Sequence, residues 1–179
     1  MISIKSEREI ELLRKAGQIV HETREYLIPF IKEGITTKEL DKLAEDFILS
    51  HDATPSFKGL NDFPCATCIS INEEVVHGIP SKRKLRKGDI VSIDIGACFK
   101  GYHGDSAYTY KVGEVSNEID TLLKVTEEAL YAGISKVKEG AHLGDISNAI
   151  ENYVKPYKFG IIEQYTGHGI GRDMHEEPA

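Results

Sequence analysis

The stretch SIDIGACFKGYHGDSA, residues 92–107, predicts a β-hairpin, because two runs rich in strand-forming residues flank a turn that contains glycine. Two aspartates, Asp94 and Asp105, lie in this hairpin. An unpaired carboxylate is disfavoured in an apolar setting, so each needs a cation, several hydrogen-bond donors or a metal ion. Asp94 is expected on the strand face opposite the apolar set Val91, Ile93 and Ile95.

Two interpretations of this aspartate pair are open. Cross-strand neighbours, direct or diagonal, lie about 4.5–8 Å apart, so two carboxylates on the hairpin can share or flank metal ions. Alternatively, an aspartate at each end of a turn hydrogen-bonds its own loop. The hairpin sequence alone favours the second interpretation.

Length and composition predict a single compact domain. The chain has 179 residues and 40% hydrophobic content, enough for one substantial core. A repeated helical pattern divides the domain into a first half at about 1–112 and an incomplete second half at about 113–179. The net charge of -7 argues against general binding of nucleic acid or anionic membranes. The basic segment SKRKLRKG, residues 81–88, is expected to be a solvated loop.

The amino-terminal sequence MISIKSEREIELLRKAG contains no apolar run of the length that a signal peptide or a membrane span requires. We therefore expect a cytoplasmic protein. The odd number of cysteines, 3, favours reduced thiols over a disulfide framework. Cys65 and Cys68 form a C-x-x-C, but it runs into a predicted strand, which disfavours a metal or redox role.

Capping boxes followed by apolar stripes predict the first two helices. Ser6 with Glu9 opens the first helix, and Thr36 with Glu39 opens the second. The first stripe recurs at helical spacing through Ile10, Leu13, Ala16, Val20, Leu27 and Ile31; the second comprises Leu40, Leu43, Ala44, Phe47 and Ile48. Strands are expected at about 66–76, 89–97 and 105–112, with KGYHG as the last turn.

A repeat follows the hairpin. A third helical stripe runs from Ile119 to Val137, and a shift of 106 residues then lays KEGITTKELDKLAEDFI (32–48) on KEGAHLGDISNAIENYV (138–154). We interpret this as a duplicated helix-helix-sheet unit. Residue 179 corresponds to residue 73 of the first copy, so the second copy is expected to end before its own hairpin, as in a truncated chain.

Histidines strengthen the metal interpretation. GHGIGRDMHEEP carries His168 and His175 in a glycine-rich stretch, and VVHGIP places His77 at the end of an apolar strand. Each alone is more typical of a structural residue. Imidazoles together with carboxylates suit a hydrolytic metal centre, and this oxygen-rich set would accept divalent Mn, Co, Fe or Zn.

The three segments INEEVVHGIP, GDIVSIDIGACFKGYHGDSA and YTGHGIGRDMHEEP closely resemble the motifs of type I methionine aminopeptidases. The resemblance implies an α/β pita-bread fold, in which two pseudo-symmetric halves enclose a site with two divalent ions (Co, Mn, Fe, Zn or Ni). It also implies hydrolytic removal of the N-terminal methionine from nascent polypeptides in the cytoplasm. The expected protein is a monomer, with the ribosome as a further partner and with no membrane or sequence-specific nucleic acid partner.

Specific roles follow from the same resemblance. It implies metal ligation by Asp94, Asp105 and His168, contact of His77 with the scissile peptide, and polarisation of its carbonyl by His175. The pocket for the methionine side chain would use Phe63, Cys68 and His77, with Met174 and Leu60 at positions where bulkier aromatic residues are common in the family.

Two further metal-ligating glutamates follow these motifs in the family, and one also shuttles a proton. The 179 residues do not include them, because Glu176 and Glu177 belong to the HEEP motif itself. We therefore expect a weakened second metal site and impaired activity in this chain.

Two other functions remain open. A non-catalytic metal-binding or partner-binding remnant of the same fold would also explain the missing glutamates. A proline-dipeptide peptidase of the same fold would use Asp94 and Asp105. The short amino-terminal region and the sequences of the HGIP and GHGIGRDMHEEP motifs disfavour it.

Overall fold

The computed structural model of the protein describes residues 2–179. The chain forms two compact units: Met1–Glu114 together with Gly167–Ala179, and Val115–Thr166. No helix within residues 2–179 is both long enough and apolar enough to cross a membrane.

The first unit contains a four-stranded antiparallel sheet built around the predicted hairpin. Its strands are β1 (Ala53–Pro55), β2 (Thr67–Ile71), β3 (Ile90–Phe99) and β4 (Tyr102–Lys111). On one side β3 pairs with β4 along its whole length. On its other side β3 pairs with β2 and β1, which occupy successive parts of it.

The structure corrects two predicted strand boundaries and adds one strand. The hairpin turn is shorter than KGYHG, because Lys100 and Gly101 alone have positive φ and β4 already begins at Tyr102. β2 ends at Ile71, since Asn72 has a φ of 56° and leaves the extended conformation. The short β1, which contains a proline, lies outside the three predicted strands.

Two helices pack on this sheet. α1 (Glu7–Leu27) and α2 (Thr37–Ser50) begin at the predicted capping boxes. Glu9 Oε2 accepts a hydrogen bond from Ser6 N, and Glu39 Oε2 accepts one from Thr36 N. α1 ends earlier than predicted, because Pro29 lies in a 3-10 turn that follows it.

The core lies between α1, α2 and the sheet. Its members are apolar and almost completely buried: Ile19, Val20, Leu27, Leu40, Ala44, Ile48, Ala53, Ile69, Ile71, Leu85, Val91, Ile93, Ile95, Ala97 and Val112. At one point α1 touches β4 directly: a Cβ on Gly104 would lie 2.6 Å from Gly17 N. This contact fixes the part of β4 that carries Asp105.

The second unit is helical. Its helices are α3 (Asn117–Ile134) and α4 (Leu143–Val154), and residues 115–166, all of which are described, contain no strand. The helices pack closely, since a Cβ on Gly133 would lie 2.9 Å from Ile150 Cδ1. α4 starts at Leu143 and α2 at Thr37, the same offset of 106 residues that the repeat predicted.

Candidate functional site

The hairpin register determines how the two aspartates face each other. Asp94 is opposite Ala107, and Asp105 is opposite Gly96, so the carboxylates form a diagonal cross-strand pair. On the other side of β3, Cys68 of β2 is directly opposite Asp94. The two predicted carboxylates are therefore neighbours, and they do not cap separate ends of a turn.

The carboxylates interact with each other strongly. Burial, followed by the charge and the hydrogen bond of Asp105, raises the pKa of Asp94 to about 7. Burial first, and then the charges of Asp94 and Asp105, raise the pKa of the Cys68 thiol to about 12. Like charges at this spacing favour a shared proton or a bound cation.

His168 extends this pair. Its Nε2 lies 3.5 Å from Asp105 Oδ2, with 26% and 24% of the two side chains exposed. Its Nδ1 lies 2.9 Å from the carbonyl oxygen of Gly169. Because a carbonyl only accepts hydrogen bonds, Nδ1 is the donor in this contact, and Nε2 is the ring nitrogen on the side of Asp105.

His175 lies beside His168, and their ring centroids are 4.4 Å apart in an edge-on arrangement. A small hairpin brings the two histidines together. An antiparallel bridge joins Gly169 and Glu176, with each backbone N–H donating to the partner carbonyl at 2.8 Å. The residues between the two histidines in the GHGIGRDMHEEP motif therefore form the turn of this small hairpin.

His77 lies in the exposed turn after β2. Val76 and His77 have φ values of 39° and 49°, which are strained for side-chain-bearing and especially for β-branched residues. The turn is held by Ile69 N, which donates to Gly78 O at 2.8 Å. Strain of this kind is common at functional sites, and the contact of His77 with the scissile peptide stays a prediction.

An apolar cluster adjoins the aspartates through Cys68. Its buried members are Phe57, Cys68 and Met174, and Leu60, Phe63 and Ile170 pack against them. The structure thus brings together four residues that the resemblance places at the methionine pocket: Leu60, Phe63, Cys68 and Met174. Sequence reasoning missed Phe57 and Ile170, although an apolar residue in a loop and another within the histidine motif were visible signals.

The donor set fits a hard divalent cation, since two carboxylates and an imidazole are ligands that such ions accept. Among residues 2–179, no three His, Cys, Asp or Glu side chains form a ready-made metal-binding group. Asp94 contacts Asp105, and Asp105 lies near His168, so the predicted ligands are adjacent in pairs. Their joint ligation of one ion stays a prediction.

Comparison with known proteins identifies the family. The sequence profile of metallopeptidase family M24 matches residues 11–179. Methionine aminopeptidase 1 of Bacillus subtilis (strain 168) is 53% identical over 178 residues, which cover 99% of this chain and 72% of that protein.

Solved structures show the same relationship. The crystal structure of methionine aminopeptidase from Rickettsia prowazekii has a TM-score of 0.97 at 40% identity, covering 99% of this chain and 72% of that chain. Xaa-Pro dipeptidase from Bacillus anthracis has a TM-score of 0.85 at 28% identity, covering 98% of this chain and 48% of that chain. These likenesses confirm the predicted α/β fold of the pita-bread type.

Proposed function

We propose, from the premise that the chain belongs to metallopeptidase family M24, that it is a metal-dependent aminopeptidase that removes the N-terminal methionine of polypeptides. The observation that carries the proposal is the diagonal pair Asp94 and Asp105, which lies beside His168 on one side and beside an apolar cluster on the other. A hydrolytic centre and a side-chain pocket are thus adjacent.

Divalent metal ions are the cofactor that the family implies, and Asp94, Asp105 and His168 are the residues that would hold them. Two ions per site, of Co, Mn, Fe, Zn or Ni, would polarise the substrate carbonyl and lower the pKa of a bound water. The Nδ1 proton of His168, held by Gly169 O, keeps its Nε2 free for ligation.

The substrate side chain would pack against the cluster formed by Phe57, Cys68 and Met174 with its three partly buried neighbours. Its aromatic and sulfur groups suit the apolar, polarisable thioether of methionine. His77 and His175 would donate hydrogen bonds to the scissile peptide, which orients its carbonyl for attack. The substrates are nascent chains in the cytoplasm, with the ribosome as a partner and the enzyme as a monomer.

The test is release of methionine from a Met-Ala-Ser peptide in the presence of added Mn or Co. We expect release by the wild-type chain, inhibition by a chelator, and a loss of at least about 100-fold in rate for Asp105→Asn. The control is Asp46→Asn, which removes a carboxylate from an exposed ion pair with Lys42 on α2. An equal rate for Asp105→Asn and the control would overturn the proposal.

A second candidate, a proline-dipeptide peptidase, is favoured by the likeness to Xaa-Pro dipeptidase from Bacillus anthracis. Its lower identity, 28% against 53% for methionine aminopeptidase 1 of Bacillus subtilis, places it second. Preferential cleavage of a Met-Pro dipeptide over Met-Ala-Ser would reverse that order.

A third candidate is a non-catalytic metal-binding or partner-binding protein of the same fold. Metal binding without release of methionine in the assay above would favour it.

A further inference from the structure

The amino-terminal segment contacts the turn that carries the proposed catalytic histidines, here called the histidine loop (residues 168–178). The Lys5 ammonium forms an ion pair with the Glu176 carboxylate, and only 15% and 14% of the two side chains are exposed. Exposed ion pairs contribute little, but this pair is mostly shielded from solvent. Lys5 is distant in sequence and takes no part in the proposed chemistry.

Glu176 organises the loop from within. Its Oε1 accepts hydrogen bonds from the backbone N–H of Arg172 at 2.8 Å and of Asp173 at 3.3 Å. Its own backbone closes the bridge to Gly169. The carboxylate next in sequence to His175 is therefore bound by the loop backbone on one oxygen and by Lys5 on the other.

The packing leaves no room for a side chain between these groups. A Cβ on Gly171 would lie 2.3 Å from Glu176 Oε1 and 2.6 Å from Lys5 Cε. The lysine stem therefore lies directly against the loop backbone. On the opposite side, the carbonyl oxygen of Gly171 accepts a hydrogen bond from His103 N of β4 at 2.9 Å.

Glu9 makes a second connection. Its Oε2 belongs to the capping box of α1, but its Oε1 accepts a hydrogen bond from Tyr102 Oη at 2.6 Å and lies 3.4 Å from Arg172 Nη2. The Arg172 guanidinium also lies over the Tyr102 ring, 4.8 Å from its centroid. One carboxylate thus joins the start of α1, the start of β4 and the histidine loop.

We propose that Lys5 and Glu9 are positioning residues that hold the histidine loop against β4, so that His168 faces Asp105 with His175 beside it. The catalytic consequence rests on the proposed function, whereas the positioning itself does not. Hydrolytic sites tolerate little displacement of their groups. Substitution of a residue that supports a metal ligand typically lowers metal affinity or activity by about 10–100-fold. A lysine and a glutamate outside the three recognised motifs would thereby act on the site.

The first test is amide hydrogen exchange of the metal-free full chain. Lys5→Met keeps an unbranched side chain over Gly171 but removes the charge. We expect exchange in the histidine loop to accelerate roughly tenfold or more while β2, β3 and β4 are unchanged. Lys5→Arg, which retains the charge, is expected to restore most of the protection. Unchanged loop exchange in Lys5→Met would overturn the proposal.

The matched control is Lys42→Met, which breaks the Lys42–Asp46 ion pair on the exposed side of α2. It should leave loop exchange at the wild-type rate. If Lys42→Met accelerates loop exchange as much as Lys5→Met does, the effect is a general loss of charge or stability, and the positioning role is refuted. Glu9→Gln supplies a second variant, expected to accelerate loop exchange through the lost Arg172 contact.

The second test separates positioning from the proposed function. On a Met-Ala-Ser peptide, Lys5→Met is expected to lower kcat by about 10-fold or more with a smaller change in KM, because it displaces groups of the reaction and leaves the apolar cluster in place. A wild-type chain that releases no methionine refutes the proposed function, while loop exchange still decides the positioning role. A kcat equal to wild type despite faster loop exchange refutes the catalytic consequence.

Discussion

The two faces of β3 contrast in what they do. Val91, Ile93 and Ile95 point into the core and are at most 1% exposed, while Asp94, between the last two, points to the other face and meets Asp105. Alternation along one strand therefore places fold stability and site chemistry one residue apart. Substitutions on the core face should lower stability, whereas substitutions of the aspartates should impair metal binding without lowering the stability of the metal-free protein.

Two carboxylates sharpen the contrast. Asp41 of α2 is also buried, but its Oδ1 accepts hydrogen bonds from Ala66 N, Thr67 N and Thr67 Oγ1 at 2.8–3.0 Å. Burial raises the pKa of Asp41, and these hydrogen bonds oppose the rise. Asp94 has a like charge as its neighbour. Hydrogen-bond donors of the chain itself thus satisfy the Asp41 carboxylate, whereas the Asp94 carboxylate is suited to an external cation.

The largest effect is expected on the core face. Ile93→Ala should lower the free energy of unfolding by about 2–5 kcal/mol, because it deletes a fully buried side chain. Urea denaturation measures this, with Leu49→Ala, a residue 49% exposed on α2, as the control. A loss under about 0.5 kcal/mol, as for a surface residue, would contradict the assignment of this face to the core.

Asp41→Ala comes next. It removes the acceptor of three hydrogen bonds and leaves buried donors unsatisfied, which should cost about 1–3 kcal/mol in the same denaturation experiment. Asp46→Ala, on the exposed side of the same helix, should change stability far less. Equal costs for the two substitutions would mean that Asp41 does not link α2 to β2.

Asp94→Asn should act in the opposite direction. Removing one of two adjacent negative charges is expected to stabilise the metal-free protein by about 1 kcal/mol at pH 8, while the proposed metal site is lost. Denaturation in the presence of a chelator gives the stability. A destabilised variant would show that the Asp94 charge is satisfied within the chain, like that of Asp41.

The smallest effect concerns Glu9 and is a pH dependence. Hydrogen bonds from Tyr102 and then Ser6, with a smaller contribution from the Arg172 charge, lower the pKa of Glu9 from 4.5 to about 2. A lowered folded-state pKa stabilises the protein above pH 4.5, and this contribution disappears as the pH falls through about 2. The melting-temperature difference between wild type and Glu9→Gln should therefore shrink as the pH falls from 4.5 to about 2. A constant difference would argue against this hydrogen-bond network.

Local signals in the sequence predicted much of the fold. Capping boxes gave the starts of α1 and α2, and alternation gave the faces of β3. The repeat predicted the start of α4, yet none of its residues is buried, whereas five residues of α2 are. Periodicity indicates which face of a helix is apolar, but burial depends on the partner that covers that face.

The sequence suggested candidate members of the site but not the contacts between them. Residue types and motifs identified Asp94, Asp105 and His168, but only the register shows that the aspartates are diagonal. The second contact of Glu9, with Tyr102, joins positions 93 residues apart, and no local pattern encodes it. Contacts between distant segments depend on the complete packing, so sequence patterns missed them.

The most direct test of the central claim is a titration of the chelator-treated full chain with Mn²⁺, followed by electron paramagnetic resonance of the free ion. If the site face of β3 and β4 is a metal site, wild type binds Mn²⁺ and Asp105→Asn weakens the affinity at least about tenfold. Asp46→Asn should bind as wild type does. Unchanged affinity in Asp105→Asn would contradict the claim, because the diagonal aspartate pair would then not hold the ion.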